Sequence, residues 1–286
     1  MLKNTFCHVP GIGIKTEWDL WDAGVRSWDD AHRFEGGGLP RHTLYSLKRH
    51  LEESNSHLEK DNPHYFADLL PADQHWRLFP QFQHSVAYLD IETNGFFWTS
   101  GYITTIVLYG GKKLSYYIKG ENLHDFADDI KEYKLIVTYN GKCFDLPFIE
   151  SYLGVRPHAV HIDLRFVLRS LGYTGGLKGC EKQLGIDRGE LDGVDGYFAV
   201  LLWDDFLANG NEKALETLLA YNMQDVVSLE YLMTVAYNLK LKNTPFCFVN
   251  QLPVPSSPEL PFKPDVATIE RIKRLAGIMD PGSSSA

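Results

Sequence analysis

Cysteine is scarce: Cys7, Cys143, Cys180 and Cys247 are the only four among 286 residues, and they lie far apart. No Cys-x-x-Cys pair occurs, so the spacing suggests neither a zinc site nor a disulfide framework, and the four read as small buried hydrophobes. Long apolar runs are missing too. No stretch approaches the ~20 uninterrupted apolar residues of a membrane span, and Met1 to Thr5 leads into Gly- and acid-containing sequence rather than a signal-peptide core. A cytoplasmic protein without membrane association is the expectation. Positive charge is in deficit, with 28 Lys and Arg against 37 Asp and Glu for a net charge of −9. That balance argues against a polycation that coats nucleic acid nonspecifically and leaves room only for a local basic strip. No internal repeat is present. Core-forming residues are plentiful: 44% are apolar and 13% aromatic, enough for one large domain or one domain with an appendage.

The first 80 or so residues carry helix signals and no strand pattern of their own. Val9-Pro10-Gly11-Ile12-Gly13-Ile14-Lys15-Thr16 sets a Gly-x-Gly turn before a short amphipathic helix closed by Gly24, similar to a helix-hairpin-helix motif. Glycines let the backbone approach a phosphate, and the helix N-terminus behind them offers free N–H groups. Gly11, Gly13 and Lys15, with Thr16, are therefore candidate nucleic-acid contacts. The same turn equally suits a glycine-hinged hairpin that only packs, with Trp18, Leu20, Trp21 and Val25 in the core. Leu44, Leu47 and Leu51 then recur at helical spacing, and Asn62-Pro63 opens a further helix through Leu70, ended by Pro71.

Strand signals begin at Val86-Ala87-Tyr88-Leu89-Asp90-Ile91-Glu92, an apolar run that ends by presenting two acids. Side chains alternate along a strand, so Asp90 and Glu92 project to one side while Leu89 and Ile91 pack on the other. Two like charges held that close resist ionising unless a cation sits between them. Ile103 to Tyr109 and Leu114 to Ile118 flank Gly110-Gly111-Lys112-Lys113 as a hairpin, which makes the first three strands antiparallel. A helix around Leu123 to Ile130 follows, then a strand at Leu135 to Tyr139. Asp145 opens a helix that stops at Gly154, and Val160 to Ile162 forms a strand with Asp163 as N-cap of the helix from Leu164 to Leu171. The last long helix runs from near Glu212 to about Tyr237. Three strands followed by strand–helix alternation predict an α/β fold, a mixed β-sheet flanked by helices and preceded by a small helical N-terminal segment. The expected division is 1–80 for the helical segment, 81–245 for the sheet domain and 246–286 for an extension, proline-rich from Pro253, briefly helical, then a Gly-Ser end expected to be disordered.

Asp90 and Glu92 ending one strand, Asp145 after a second, and Tyr221-x-x-x-Asp225 sharing a face of a late helix form one series. In order and spacing it resembles the DEDDy-type 3′→5′ exonucleases of the ribonuclease H-like, DnaQ-like superfamily. Asp163-Leu164 through Arg169 and Leu177-Lys178-Gly179-Cys180-Glu181-Lys182-Gln183-Leu184-Gly185-Ile186 look like that family's connecting helices. The likeness is closest to the YprB-like branch, where a Pro-Gly-Ile-Gly turn, here Pro10 to Gly13, precedes the nuclease fold. The Asn140 to Asp145 spacing is longer than in the proofreading members and similar to that branch.

The resemblance implies Asp90, Glu92, Asp145, Tyr221 and Asp225 as catalytic residues, the four acids holding two Mg²⁺ or Mn²⁺ ions. Two hard cations can activate a water and stabilise the leaving oxygen of a phosphodiester, and carboxylates suit them. Tyr221 would orient the attacking water, since a phenol near pKa 10 is a poor base at neutral pH. Asn140, Lys142 and Lys178, with Arg165, Arg169 and Lys182, are candidates for the path of the nucleic-acid backbone or plain solvated surface. Asp163 reads as a helix cap rather than a fifth ligand, and His161 as a packed strand residue. Phe96, Phe97 and Trp98 can stack a terminal base or join the core. The expected partner is a single-stranded or frayed 3′ end of DNA or RNA, the choice between them left open. A non-catalytic nucleic-acid-binding adaptor and an endonuclease or structure-specific nuclease on the same fold are the rival readings.

Overall fold

The structure, a computed structural model, describes residues 1–36, 40–95 and 100–278. Helices α1 (Ile14–Asp22), α2 (Trp28–Arg33), α3 (Arg41–Glu59), α4 (Pro63–Leu69) and α5 (Phe79–Phe82) precede the first strand. Then come β1 (Val86–Thr93), β2 (Ile103–Tyr109), β3 (Leu114–Ile118), α6 (Phe126–Asp129), β4 (Leu135–Thr138), α7 (Asp145–Leu153), β5 (Val160–Asp163), α8 (Leu164–Arg169), α9 (Gly176–Gln183), α10 (Gly196–Asn209), α11 (Glu212–Lys242) and α12 (Val266–Leu275). The five strands lie in the order β3-β2-β1-β4-β5. β1 pairs antiparallel with β2 and parallel with β4, so the sheet is mixed, as its strand–hairpin–helix pattern predicts.

β1 has a different core on each face. Val86 and Tyr88 pack with Val226, Leu229 and Met233 of α11, whereas Ala87, Leu89 and Ile91 pack with Phe126, Phe148 and Ile149. Continuing the α11-facing row beyond Tyr88 reaches Asp90 and Glu92. The strand alternation that buries β1 therefore also aims its two acids at α11. The β1–β2 register shifts between Glu92 and Thr93, an irregularity of the kind that ends pairing beside functional sites.

The N-terminal helices share that core. Leu2, Phe6, Trp21, Trp28, Leu47 and Phe66 belong to the same buried apolar cluster as Val86, Tyr88 and Tyr237, and the Trp76 and Phe79 rings lie 5.6 and 6.5 Å from the Tyr237 ring. Beneath the Gly11 turn, Glu17 Oε1 accepts from the N–H groups of Phe6 and Cys7 at 2.6 and 3.0 Å, and its carboxylate pairs with Arg77 at 2.8 Å. A buried pair of this kind adds little net stability, but losing either partner would leave an uncompensated buried charge. Leu20, Trp21 and Val25 are buried, but Trp18 remains 38% exposed, edge-on to Trp21, because it falls on the outer face of α1.

Further departures have local causes. Cys7 and Cys180 are buried as expected, whereas Cys143 is exposed in the turn before α7 and Cys247 is half-buried in the turns after α11. α11 runs to Lys242 rather than Tyr237, with Leu241 fully buried in its last turn. α10 has no counterpart among the expected helices. Its Phe198, Ala199, Leu202 and Trp203 are buried between Leu215, Leu218 and Ile272 in a segment too uniformly apolar to show a helical period. The Gly-Ser end falls outside the described residues.

Candidate active site

A cavity of about 310 Å³ opens where β1 and β4 end, lined by Asp90, Glu92, Asn140, Asp145, Lys178, Tyr221 and Asp225 among others. Ligands of α/β sheets commonly sit at the carboxyl ends of the strands. Glu92, Asp145, Tyr221 and Asp225 are buried, and Asp90 keeps some surface at the opening. One carboxylate oxygen each from Asp90, Glu92 and Asp225 lies within 4.8 Å of the other two.

Each acid is held from a different direction. Asp90 Oδ2 accepts from Asn222 Nδ2 at 2.7 Å, and Asn222 Oδ1 accepts from Thr105 Oγ1 at 3.1 Å, which ties β1 and β2 to α11. Asp145 Oδ1 accepts the Ile91 N–H at 3.2 Å. β4 pairs with β1 only along Val86 to Tyr88, so that N–H lies past the end of the ladder and needs another partner. Asp225 is met by Arg188 from the turn after α9, and Arg188 pairs in turn with Glu181 at 2.6 Å. Tyr221 OH accepts from Lys178 Nζ at 2.9 Å, and Lys178 also donates to the Val194 carbonyl.

The turn between β4 and α7 is built for close approach. Asn140 adopts φ 68°, uncommon for a residue with a side chain, and its N–H and that of Lys142 donate to the two Asp163 oxygens at 2.8 and 3.1 Å. Asp163 also accepts from Arg165 N–H at 3.0 Å, so one carboxylate caps α8 and shapes the turn. A Cβ at Gly141 would lie 2.3 Å from Thr138 Oγ1, so only glycine fits there.

Burial pushes the carboxyls of Asp90 and Glu92 well above the usual carboxylate range. Asp145, Glu92 and Asp225 add to the effect on Asp90, and Asp225 to that on Glu92. Burial raises Asp145 to about 7, against its hydrogen bond from Ile91. Burial and the neighbouring acids also hold the Tyr221 hydroxyl in its neutral form, its pKa raised. Four carboxylates, those of Asp90, Glu92, Asp145 and Asp225, thus line the cavity with the cation of Lys178, while Arg188 and Glu181 pair behind Asp225. An all-oxygen donor set with surplus negative charge fits a hard divalent ion such as Mg²⁺ or Mn²⁺.

Other candidate residues lie elsewhere. Lys142 lines a separate cavity of about 590 Å³ with Trp76, His161 and Phe166. His161 bonds Thr138 Oγ1 at 2.9 Å, and burial lowers its ring to about 4. Gly11, Gly13 and Lys15 are exposed, and none of them lines the acid cavity. Arg165 donates to Asn140 Oδ1, while Arg169 and Lys182 are exposed. Phe96, Phe97 and Trp98 lie outside the described residues. Asn222, Arg188 and Glu181 are absent from the sequence-derived set. A buried amide inside the Tyr221-x-x-x-Asp225 step was a usable signal for Asn222, whereas the Arg188 contact depends on a turn with no pattern of its own.

Fold and cavity together define a class: a ribonuclease H-like α/β protein with an acid-lined cavity at the carboxyl ends of its strands. The RNase_H superfamily profile RNase_H_2 matches residues 87–237, and the chain belongs to that superfamily. No curated protein matches the chain. Among solved structures it is similar to the family B DNA polymerase from the hyperthermophilic archaeon Pyrobaculum calidifontis, with 19% identity over 55% of this chain and 24% of that chain and a TM-score of 0.42. The chain thus spans about a quarter of that polymerase chain. No described helix is long and apolar enough to cross a membrane.

Proposed function

We propose that the protein is a cytoplasmic, metal-dependent 3′→5′ exonuclease of the DEDDy type that trims single-stranded or frayed ends of DNA or RNA, and that it belongs to the YprB-like branch. The nuclease fold spans 81–245, the helical segment 1–80 and the extension 246–286 flanking it. One observation carries the reading: Asp90, Glu92, Asp145, Tyr221 and Asp225, from three distant stretches, line a single cavity.

Two bound Mg²⁺ or Mn²⁺ ions would supply a nucleophilic water at neutral pH and offset charge on the leaving oxygen. Asp90, Glu92, Asp145 and Asp225 would hold them. Tyr221 accepts a hydrogen bond from Lys178, which leaves its own O–H to donate and so to orient the attacking water. Its raised pKa keeps that proton in place. Lys178 brings a positive charge to the cavity wall, where charge builds on the phosphate during attack. Asn140, presented by its left-handed turn, faces the same cavity and can bond the backbone of the terminal nucleotide. Gly11, Gly13, Lys15 and Lys142 would contact the strand farther from its end.

A time course with Mn²⁺ on 5′-labelled and 3′-labelled oligomers of DNA and RNA tests the reading. The 5′ label should pass through a ladder of shortening products, while the 3′ label is released at once as mononucleotide. Cutting of a circular single strand would replace the exonuclease with an endonuclease, and binding without any hydrolysis would leave an adaptor.

A further inference from the structure

Asp225 is backed by a second layer of charge. The Arg188 guanidinium donates from Nη2 to Asp225 Oδ1 and from Nη1 to Glu181 Oε2, the latter at 2.6 Å, and its Cζ stands 5.5 Å from the centre of the Tyr221 ring. The three charged side chains are withdrawn from solvent, with 6% of Arg188, 0% of Glu181 and 7% of Asp225 exposed. Neither Arg188 nor Glu181 lines the acid cavity, so both act on it from behind.

A lone guanidinium beside Asp225 would repel an incoming cation. Glu181 cancels that charge, and what remains is directional: a rigid planar fork that fixes one oxygen of Asp225. A carboxylate has a second oxygen. Arg188 holds Oδ1, which leaves Oδ2 outside that ion pair, and Asp225 belongs to the cluster in which one carboxylate oxygen each from Asp90, Glu92 and Asp225 lies within 4.8 Å of the others. We infer that Arg188, anchored by Glu181, is a positioning residue that sets which oxygen Asp225 presents to the divalent ion, and that the same guanidinium braces the Tyr221 ring one helical turn away. This inference rests on the proposed reading of the cavity as a metal site. Hydrogen-bonded partners of ligating carboxylates commonly affect metal affinity about 10–100-fold when removed.

The test is Mn²⁺ binding to the full chain without nucleic acid, followed by calorimetry and by the rise in melting temperature on adding Mn²⁺. Arg188→Gln should bind Mn²⁺ about 10–100-fold more weakly, and Arg188→Lys should fall between, because it keeps the charge and loses the fork. Should Arg188→Gln fail to fold with Glu181 left unpaired, the double variant Glu181→Gln/Arg188→Gln removes both charges together and should show the same weakened binding. In an Asp225→Asn background, Arg188→Gln should change Mn²⁺ affinity no further. A merely structural pair would lower the metal-free melting temperature and leave the metal-induced rise intact. Folded variants that bind Mn²⁺ within twofold of wild type, or more tightly, overturn the inference alone. A wild type that binds no Mn²⁺ overturns the metal-site reading and the inference with it.

Discussion

The Asp145 carboxylate accepts the main-chain N–H of Ile91, the residue that separates Asp90 from Glu92 on β1. This one bond, at 3.2 Å, places the acid of the second motif against the strand of the first and gives a partner to an amide that β4 is too short to reach. Asp145→Asn and Asp145→Ala both remove the charge, but only Asn keeps an acceptor for that buried N–H. The alanine variant should be less stable than the asparagine variant by about 1–3 kcal/mol, the cost of a buried donor left unpaired. Urea unfolding of the two at one pH measures the difference, and equal midpoints and slopes would remove the bond from the account. Both variants should lose hydrolysis.

Lys178 and Tyr221 should behave as one unit. The ammonium donates to the phenol at 2.9 Å and lies over its ring at 4.6 Å, so removing either partner changes how the other presents its proton. Tyr221→Phe and Lys178→Met should each slow single-turnover hydrolysis, by about a hundredfold at most, the low end for a positioned proton-handling group. The double variant should be no slower than the worse single one, as for residues that act together. Multiplying effects would mean that Lys178 serves the nucleic-acid backbone independently of Tyr221.

Much of this arrangement was legible in the chain because its determinants are local. The alternation of β1 assigns its acids a face, Gly154 stops α7 in a left-handed conformation, and Asp163 caps α8 with its side chain. Tyr221 and Asp225 share a helix face by spacing alone. What the chain conceals is non-local or aperiodic. α10 buries one face, with Phe198, Ala199, Leu202 and Trp203, but carries Tyr197 and Leu207 exposed on the other, which erased its apolar period, although Asp195 caps it and Gly210 ends it by the usual devices. Arg188 meets Asp225 across 37 residues and Asn222 meets Asp90 across 132, and no spacing rule spans either distance.

The turn at Gly11 and Gly13 can now be tested without unfolding the segment. Gly13 has φ −87°, which valine adopts, and an added Cβ meets nothing within 4 Å, whereas a substitution of Gly11 at φ +85° would be strained. Gly13→Val should therefore fold, at a cost of about 1 kcal/mol or less for the changed helix cap. If the turn cradles a phosphate, affinity should weaken for strands long enough to reach it and stay unchanged for very short ones. Binding curves over a series of strand lengths give the answer, and a uniform response would assign the turn to packing.

The acid cavity makes stability depend jointly on pH and metal. Burial pushes the Asp145 carboxyl up to about 7 from an ordinary value of 3.8, and Asp90 and Glu92 are also raised. Between those values the folded state holds more protons than the unfolded state, so the Asp145 contribution is intact below about pH 4 and is lost as pH rises through about 7, and the raised Asp90 and Glu92 act in the same direction. The metal-free protein should accordingly lose stability over that interval. Divalent ions act oppositely, because they bind the deprotonated carboxylates of the native state and stabilise it by RT ln(1 + [L]/Kd), about 2.7 kcal/mol at a hundredfold excess over Kd. The rise in melting temperature on adding Mn²⁺ or Mg²⁺ should be larger at pH 8 than at pH 5.5, where protons compete for the ligands. Asp90→Asn removes one of the repelling charges and keeps an acceptor for Asn222, so without metal it should melt at or above wild type at pH 8 while losing most of the metal-induced rise. A wild type indifferent to divalent ions at both pH values, or an Asp90→Asn protein that is destabilised and still metal-responsive, would show that these acids do not share an ion.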